Sequence, residues 1–340
     1  MKGSATQKEV EVKLELSQAK LPALEVAFCL LVAMRTKVRE LAGRTAFVTG
    51  GASGIGLALG CALAEAGMQI MLADIEPAPL ATAVESLKGI GPDVRGVVCD
   101  VADPGSVDHA AKMSFEAFGK VHLICNNAGV VSSGGIDNIS LGEWRWVMDV
   151  NMMGVLHGIH AFLPHMRAHG EGGHILNTAS MAGMLNRLGF SPYSASKFAV
   201  VSMSEGLATE LKPLGIGVSV LCPGFVRTRI MESQRHRPQR YGAALTPDSK
   251  GAKNVTIVKL TELVNAGIDP ANVARRAVSA IRNDELYVFT HLERRSELDA
   301  RFADPCGVRQ TTGHRIESPD DLLRSHAEGE RITKRTLDHH

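Results

Sequence analysis

The sequence predicts an α/β fold: a doubly wound parallel sheet of about seven strands, with helices on both faces, in a single domain. Three observations predict it. From Arg44 onward, short β-rich runs alternate with longer helical patterns. A glycine-rich turn joins the first of those strands to the first helix. Hydrophobic residues make up 45% of 340, ample for one large core.

The first strand is expected at Thr45–Thr49, with the helix Ile55–Gly67 following its glycines. Further strands are expected at Gln69–Ala73, Val94–Cys99, Val121–Cys125, His174–Asn177, Gly217–Leu221 and Leu286–Phe289. Helices are expected at Pro77–Lys88, Pro104–Phe118, Leu141–Ala168, Tyr193–Lys212 and Pro270–Arg282. Such alternation gives βαβ units, and right-handed crossovers place helices on both faces of the sheet. No repeat of solenoid length is present.

Two stretches break the rhythm of the domain, which is expected to run from 43 to 303. Residues 227–265 are polar, basic and irregular, and they follow the carboxyl end of a strand. Open α/β sheets bind ligands there, so this stretch is read as a substrate lid. Residues 304–340 are charged with little periodicity and are read as a polar tail. Residues 1–42 form an N-terminal extension, expected to be helical. Its apolar run, Leu21–Met34, contains Glu25 and is shorter than the roughly 20 residues of a membrane span. Acidic residues precede the run and Arg35, Lys37 and Arg39 follow it, the reverse of a signal peptide. A surface or partner-packing helix fits best. Translation beginning at Met34 and an interfacial anchor are the alternatives.

A net charge of +1, with 21% charged residues, offers no electrostatic basis for binding nucleic acid. The six cysteines form no CxxC pair and lie near no histidine at ligand spacing. A disulfide framework or metal site is therefore not expected, and a cytoplasmic location is.

The turn reads Thr49-Gly50-Gly51-Ala52-Ser53-Gly54-Ile55-Gly56. Its glycines let the backbone turn tightly and let a pyrophosphate approach the free N–H groups of the helix N-terminus. This is a Rossmann-type dinucleotide site. Asp74 ends the second strand, where a carboxylate accepts hydrogen bonds from the adenosine ribose. Its charge repels the extra phosphate of NADP, and neither Ser53 nor Ile75 supplies a compensating cation. NAD is therefore expected rather than NADP. The competing role for Asp74 is capping the next helix. Asp100, ending the third strand, flanks the adenine in this reading or is a plain turn aspartate.

Tyr193 and Lys197 stand four residues apart at the start of a helix, hence on one face. An ammonium and a cationic nicotinamide ring both favour a phenolate, so Tyr193 is expected to have a lowered pKa and to exchange a proton with substrate. Taken alone, the pair is more often plain helix surface. Ser180, thirteen residues earlier, is placed to hold the substrate oxygen beside Tyr193. Asn126-Asn127-Ala128-Gly129 follows the fourth strand, and Asn151 lies amid apolar residues of a helix. A buried asparagine is usually structural, and here it also suits bending the helix and holding a water on the lysine.

Together these motifs resemble the short-chain dehydrogenase/reductase family, from about Gly43 to Arg301. The match comprises Thr-Gly-x-x-x-Gly-x-Gly, Asn-Asn-Ala-Gly, Asn151, Ser180, Tyr-x-x-x-Lys, and Pro223-Gly224 with Thr228. The resemblance implies that Tyr193 is the acid/base. Lys197 would bind the nicotinamide ribose and lower the Tyr193 pKa. Ser180 would polarise the substrate oxygen, and Asn151 would anchor a proton-relay water. It also carries cofactor contacts to Gly50, Ser53, Gly54, Ile55 and Gly56 in the turn. Further contacts are implied at Asp74, Asp100, Val101 and Asn127, and at Val226 and Thr228 beside the carboxamide. A homo-oligomer, dimer or tetramer, is implied as well, supported by apolar Phe162, Leu163, Val200, Val201 and Leu207 on two long helices. Glu232–Pro238 and Leu286–His291 further resemble the Cα-dehydrogenases of bacterial lignin β-aryl ether breakdown, which oxidise benzylic secondary alcohols with NAD.

The expected activity is therefore NAD-dependent interconversion of a secondary alcohol and a ketone, both small molecules. An NADPH-dependent carbonyl reductase would use the same residues in reverse, and a non-catalytic NAD-binding protein is the reading from another class. Length alone suggests an extended-branch epimerase or dehydratase, but the additional residues lie at the two ends. The arginines 227, 229, 235, 237 and 240 suit either a solvated lid surface or attraction of an anionic substrate. Trp144 and Trp146 suit packing rather than ligand contact.

Overall fold

Burial on both faces sets the strands. In β1 (Thr45–Thr49) and β5 (Gly173–Thr178) every residue is buried, as in sheets covered by helices on two sides. The structure, a computed structural model, describes residues 40–132, 136, 139–186, 189–242 and 251–303, with backbone alone at 251–257 and 302. The remaining strands are β2 (Gln69–Asp74), β3 (Val94–Val98), β4 (Leu123–Asn126), β6 (Ile216–Cys222) and β7 (Tyr287–Phe289). They pair in the order β3-β2-β1-β4-β5-β6-β7, all parallel. The order reverses between β1 and β4. That opens a crevice at their carboxyl ends, the switch point of a doubly wound sheet.

The helices begin where the sequence supplies caps. α1 (Gly54–Glu65) follows the glycine turn, and α2 (Pro77–Leu87) opens on a proline. α3 (Pro104–Phe118) is capped by Asp103, whose side chain accepts from Gly105 N, with Pro104 pre-set for the first turn. Ser140 caps α4 (Leu141–Met148) by accepting from Glu143 N at 3.1 Å. α4 runs through a π-helical turn, Asp149–Met153, into α5 (Gly154–His169). The single helix expected over Leu141–Ala168 thus carries a bulge that a 3.6-residue period does not reveal. α6 (Ser191–Leu211), α7 (Gly251–Asn265) and α8 (Pro270–Asn283) complete the sheet-bearing unit. Val273, Ala277 and Ile281 of α8 join Leu59 and Leu63 of α1 in one buried cluster.

The stretch 227–265, read from the sequence as a lid, is more regular than its composition suggests. Short 3-10 turns occupy Ile230–His236 and Gln239–Tyr241, and α7 covers the far end. β-branched Val255, Thr256, Ile257, Val258, Thr261 and Val264 lower helix propensity there, which hides α7 from a pattern reading. The described residues fall into two compact units divided after Leu292. The second contains α9 (Arg295–Ala303), preceded by an Arg294–Glu297 ion pair at 2.8 Å. The expected N-terminal helix and polar tail lie outside the described residues, apart from 40–42.

Phe162, Val200 and Val201, of the apolar residues noted on the two long helices, are buried within this chain. Leu163 and Leu207 are half-buried. Among the described residues, no helix is long and apolar enough to cross a membrane. Cys61, Cys99, Cys125 and Cys222 are free thiols.

Candidate active site

The glycine turn is shaped by contacts that a side chain would destroy. A Cβ on Gly56 would lie 2.0 Å from Gly50 O, inside the turn itself. Gly50 and Gly54 have φ of +65° and +55°, a region that favours glycine. A Cβ on Gly54 would stand 3.0 Å from Thr228 Cγ2, so Thr228 borders the cradle. The Ser53 side chain makes no capping bond. The N-terminus of α1, with Ile55 in its first turn, therefore keeps donors for an anion.

Thr49 ties this turn to the rest of the site. Its Oγ1 accepts from Asn127 N at 2.9 Å and from Ala128 N at 3.0 Å, and Asn127 Nδ2 donates to Thr49 O at 3.0 Å. Thr178 Oγ1 then donates to Asn127 Oδ1 at 3.3 Å, and Thr178 O accepts from Lys197 Nζ at 2.7 Å. A continuous chain of hydrogen bonds thus links the cradle to the lysine. Thr49 and Thr178 are not among the site residues expected from the sequence. A hydroxyl at the end of a fully buried strand is the available signal.

Asp74 accepts from Ala52 N through Oδ2 and from Glu76 N through Oδ1, both at 3.0 Å. Both oxygens are thereby aimed by backbone, each with further acceptor capacity. Asp100 accepts from Ala102 N at 3.0 Å and pairs with Arg240 at 3.0 Å, combining the turn role with a lid contact. Val101 packs where a Cβ on Gly154 would meet its Cγ2 at 2.9 Å, and its carbonyl accepts from His157 Nδ1 at 2.9 Å. Val226 is buried and bridges to Ile268.

The four expected catalytic side chains come together. Ser180, at the end of β5, is hydrogen-bonded to the half-buried Tyr193. Lys197, one turn along α6, is buried with Nζ 5.8 Å from the Tyr193 ring centre. Asn151, in the π turn, is fully buried. Ser196 joins them, accepting from Asn151 Nδ2 at 3.1 Å and donating to Tyr193 O at 2.7 Å. A Cβ on Gly129 would lie 3.3 Å from Asn151 Oδ1 and 3.5 Å from Lys197 Nζ, so only glycine leaves this space open.

The electrostatics differ from expectation at one point. Burial pushes the Tyr193 phenol above its ordinary value, with the Ser180 hydrogen bond opposing it. Lys197 is not among the causes of this shift, and its Nζ donates to Thr178 O. Burial also brings Lys197 down to about 8, against a weaker opposing effect of Cys222.

The lid arginines are paired rather than free to attract an anion. Arg227 meets Asp269, Arg229 meets Glu232 at 2.7 Å, and Arg235 meets Glu76 at 3.0 Å. Arg237 lies 3.7 Å from Glu143 in a buried pair. His236 Nε2 also reaches Glu76, at 3.1 Å. Trp146 packs with Val130, Val147 and Tyr241, the structural role expected of it. No cluster of three metal-ligating side chains occurs among the described residues.

Known proteins are similar to this chain. A family model described as short chain dehydrogenase matches residues 44–239. The C alpha-dehydrogenase of Sphingobium sp. (strain NBRC 103272 / SYK-6) is 31% identical over 306 residues, covering 86% of this chain and 99% of that protein. The crystal structure of a short chain dehydrogenase/reductase from Burkholderia phymatum in complex with NAD superposes with a TM-score of 0.76 at 37% identity, covering 81% of this chain and 99% of that one. A solved structure from Beutenbergia cavernae with NADP bound at low occupancy gives 0.61 at 28% identity, over 74% and 96% of the two chains.

Proposed function

Since the chain belongs to the short chain dehydrogenase family and is an oxidoreductase acting on hydroxyl groups with NAD(P), we propose that it interconverts a secondary alcohol and a ketone with NAD as cofactor. The observation that carries the reading is Lys197 Nζ 5.8 Å from the Tyr193 ring centre, one turn along α6, with Ser180 beside the phenol. The residues present fit the cofactor: a glycine cradle that a Cβ would fill, an uncapped helix N-terminus, and the Asp74 carboxylate at the end of β2.

When bound, the nicotinamide supplies the hydride acceptor. The chain's own residues handle the oxygen and its proton. Ser180 and Tyr193 hold the substrate hydroxyl, and the Tyr193 phenolate takes its proton as the alcohol becomes the carbonyl. Lys197, fixed by Thr178 O, would bind the nicotinamide ribose beside the phenol. Asn151 holds the bulge that faces the lysine, from which a water relays the proton.

An aryl-substituted secondary alcohol is the proposed substrate class, supported by similarity to a C alpha-dehydrogenase along 99% of that relative. A homo-oligomer belongs to the same reading, and monomer alone in light scattering would remove it. The test of the activity is to mix the protein with NAD or NADP and a panel of aryl and alkyl secondary alcohols. NADH should form, fastest with the aryl alcohols. Failure with every alcohol, or faster turnover with NADP, sinks the proposal.

A further inference from the structure

The peptide joining Pro223 to Gly224 is held from both sides. Pro223 O accepts from Met181 N at 2.9 Å and from Ser180 Oγ at 3.5 Å. On the other side, Gly224 N donates to His291 Nδ1 at 3.0 Å. The register explains the meeting. Cys222 pairs with Phe289, so residues two beyond each stand together off the carboxyl edge of the sheet.

A backbone N–H only donates, so His291 Nδ1 must accept, and the neutral ring then carries its hydrogen on Nε2. Thr290 Oγ1 lies 2.8 Å from the same Nδ1 and competes with Gly224 N for its single lone pair. The half-buried ring also stands directly over Gly224. A Cβ on Gly224 would come within 2.7 Å of Cγ, 2.8 Å of Cδ2 and 2.9 Å of Nδ1. Gly224 does not have positive φ. Glycine is needed there for room rather than for backbone freedom.

We infer that His291 is a positioning residue: it sets the Pro223–Gly224 peptide, and through it the start of the segment that carries Val226 and Thr228 toward the nicotinamide. The inference rests on the proposed reading that these residues border the nicotinamide end of a bound NAD. Ser180 holds one face of the peptide and His291 the other, so the substrate-oxygen serine and the cofactor segment share one rigid element.

Binding by titration calorimetry tests this with two ligands, NAD and ADP-ribose, the second lacking the nicotinamide. His291→Leu removes the acceptor and should weaken NAD about 5–10-fold, the size of one hydrogen bond, with ADP-ribose unchanged. His291→Asn offers a side-chain oxygen near the place of Nδ1 and should recover most of the NAD affinity. Gly224→Ala should weaken NAD, and adding His291→Ala should relieve the collision, so the double variant binds NAD better than Gly224→Ala alone. If His291→Leu is insoluble, that pair of variants decides between the outcomes. Equal NAD affinity for parent and His291→Leu, an Asn variant no better than Leu, or additive losses in the double variant would overturn the inference while leaving the proposed activity standing. A parent protein that binds neither ligand overturns the cofactor reading and this inference with it.

Discussion

Asn151 and Val130 exchange two hydrogen bonds: Asn151 Nδ2 donates to Val130 O at 2.9 Å, and Val130 N donates to Asn151 Oδ1 at 2.8 Å. With Ser196 as a further acceptor, the amide is used within the protein. The asparagine therefore shapes the π turn and the strand-end loop after β4.

Asn151→Ala should consequently cost stability as well as turnover. It strips partners from Val130 N–H and C=O, both in a buried setting, at roughly 1–3 kcal/mol for each group left unsatisfied. Denaturant unfolding should show a lower midpoint, and unchanged stability would mean that the loop after β4 is held some other way.

Tyr193→Phe keeps the ring and loses the proton carrier. Alcohol oxidation should fall by roughly 10²–10⁴-fold, the usual cost of losing general acid–base catalysis, while NAD titration stays close to the parent. Near-normal turnover would assign the proton to another group.

The architecture is legible in the sequence because short β-rich runs alternate with longer helical patterns outside 227–265, and right-handed crossovers then place helices on both faces of the sheet. The four side chains that meet at Tyr193 are legible because each sits at a strand end or on a helix beside a turn. Contacts that depend on three-dimensional closure are not. Nothing local links Glu76 to Arg235, Glu143 to Arg237, or Gly224 to His291, whose partners lie 159, 94 and 67 residues away along the chain. The upward shift of the Tyr193 phenol has a related origin: spacing brings a charge near, but only the folded chain shows the burial that raises it.

Lys197 gives a pH signature. Its ordinary value is 10.5 and burial brings it to about 8 in the folded chain. Between those values the unfolded chain holds a proton that the folded chain lacks, so stability rises with pH across that window. Below about 8 both states are charged and the full cost of burying the ammonium stands. At 1.36 kcal/mol per pH unit that cost is on the order of 3 kcal/mol. Lys197→Met abolishes this titration. Its stability relative to the parent should be most favourable near about pH 7 and should decline by about pH 9.5. Tyr193, shifted upward, acts only above about pH 10 and in the opposite sense. Parallel unfolding curves at the two pH values would contradict the burial of a charged Lys197.

The buried pair Glu143–Arg237 should be costly to halve. Both side chains are 1% exposed, and Glu143 Oε1 also accepts from Ser132 Oγ at 2.5 Å and Gln234 Nε2 at 2.9 Å. Arg237→Met leaves a lone buried carboxylate, at about 3–5 kcal/mol, whereas removing both charges together costs much less. A double-variant cycle by urea unfolding checks it, and additive losses would deny the coupling.

Cofactor preference should depend on the lid as well as on Asp74. From the neighbours Ser53 and Ile75, no cation stands near the ribose carboxylate, so the Asp74 charge opposes a 2′-phosphate and NAD is favoured. The fold changes that neighbourhood: Arg235 and His236 both converge on Glu76, two residues beyond Asp74. The Arg235 charge is balanced by Glu76, whose carboxyl is held below its ordinary value first by the Arg235 hydrogen bond, while burial holds the His236 imidazole below its ordinary value. Asp74→Ala should therefore narrow the NAD preference by removing the repulsion. Glu76→Ala should narrow it too, by releasing the Arg235 guanidinium toward the phosphate. The combination should favour NADP more than either change, and adding Arg235→Ala should take back the part contributed by Glu76→Ala. The ratio of kcat/KM for NAD and NADP across these four variants is the measurement. If Glu76→Ala leaves that ratio unchanged while Asp74→Ala shifts it, the Arg235 guanidinium does not reach the 2′ position and Asp74 acts alone.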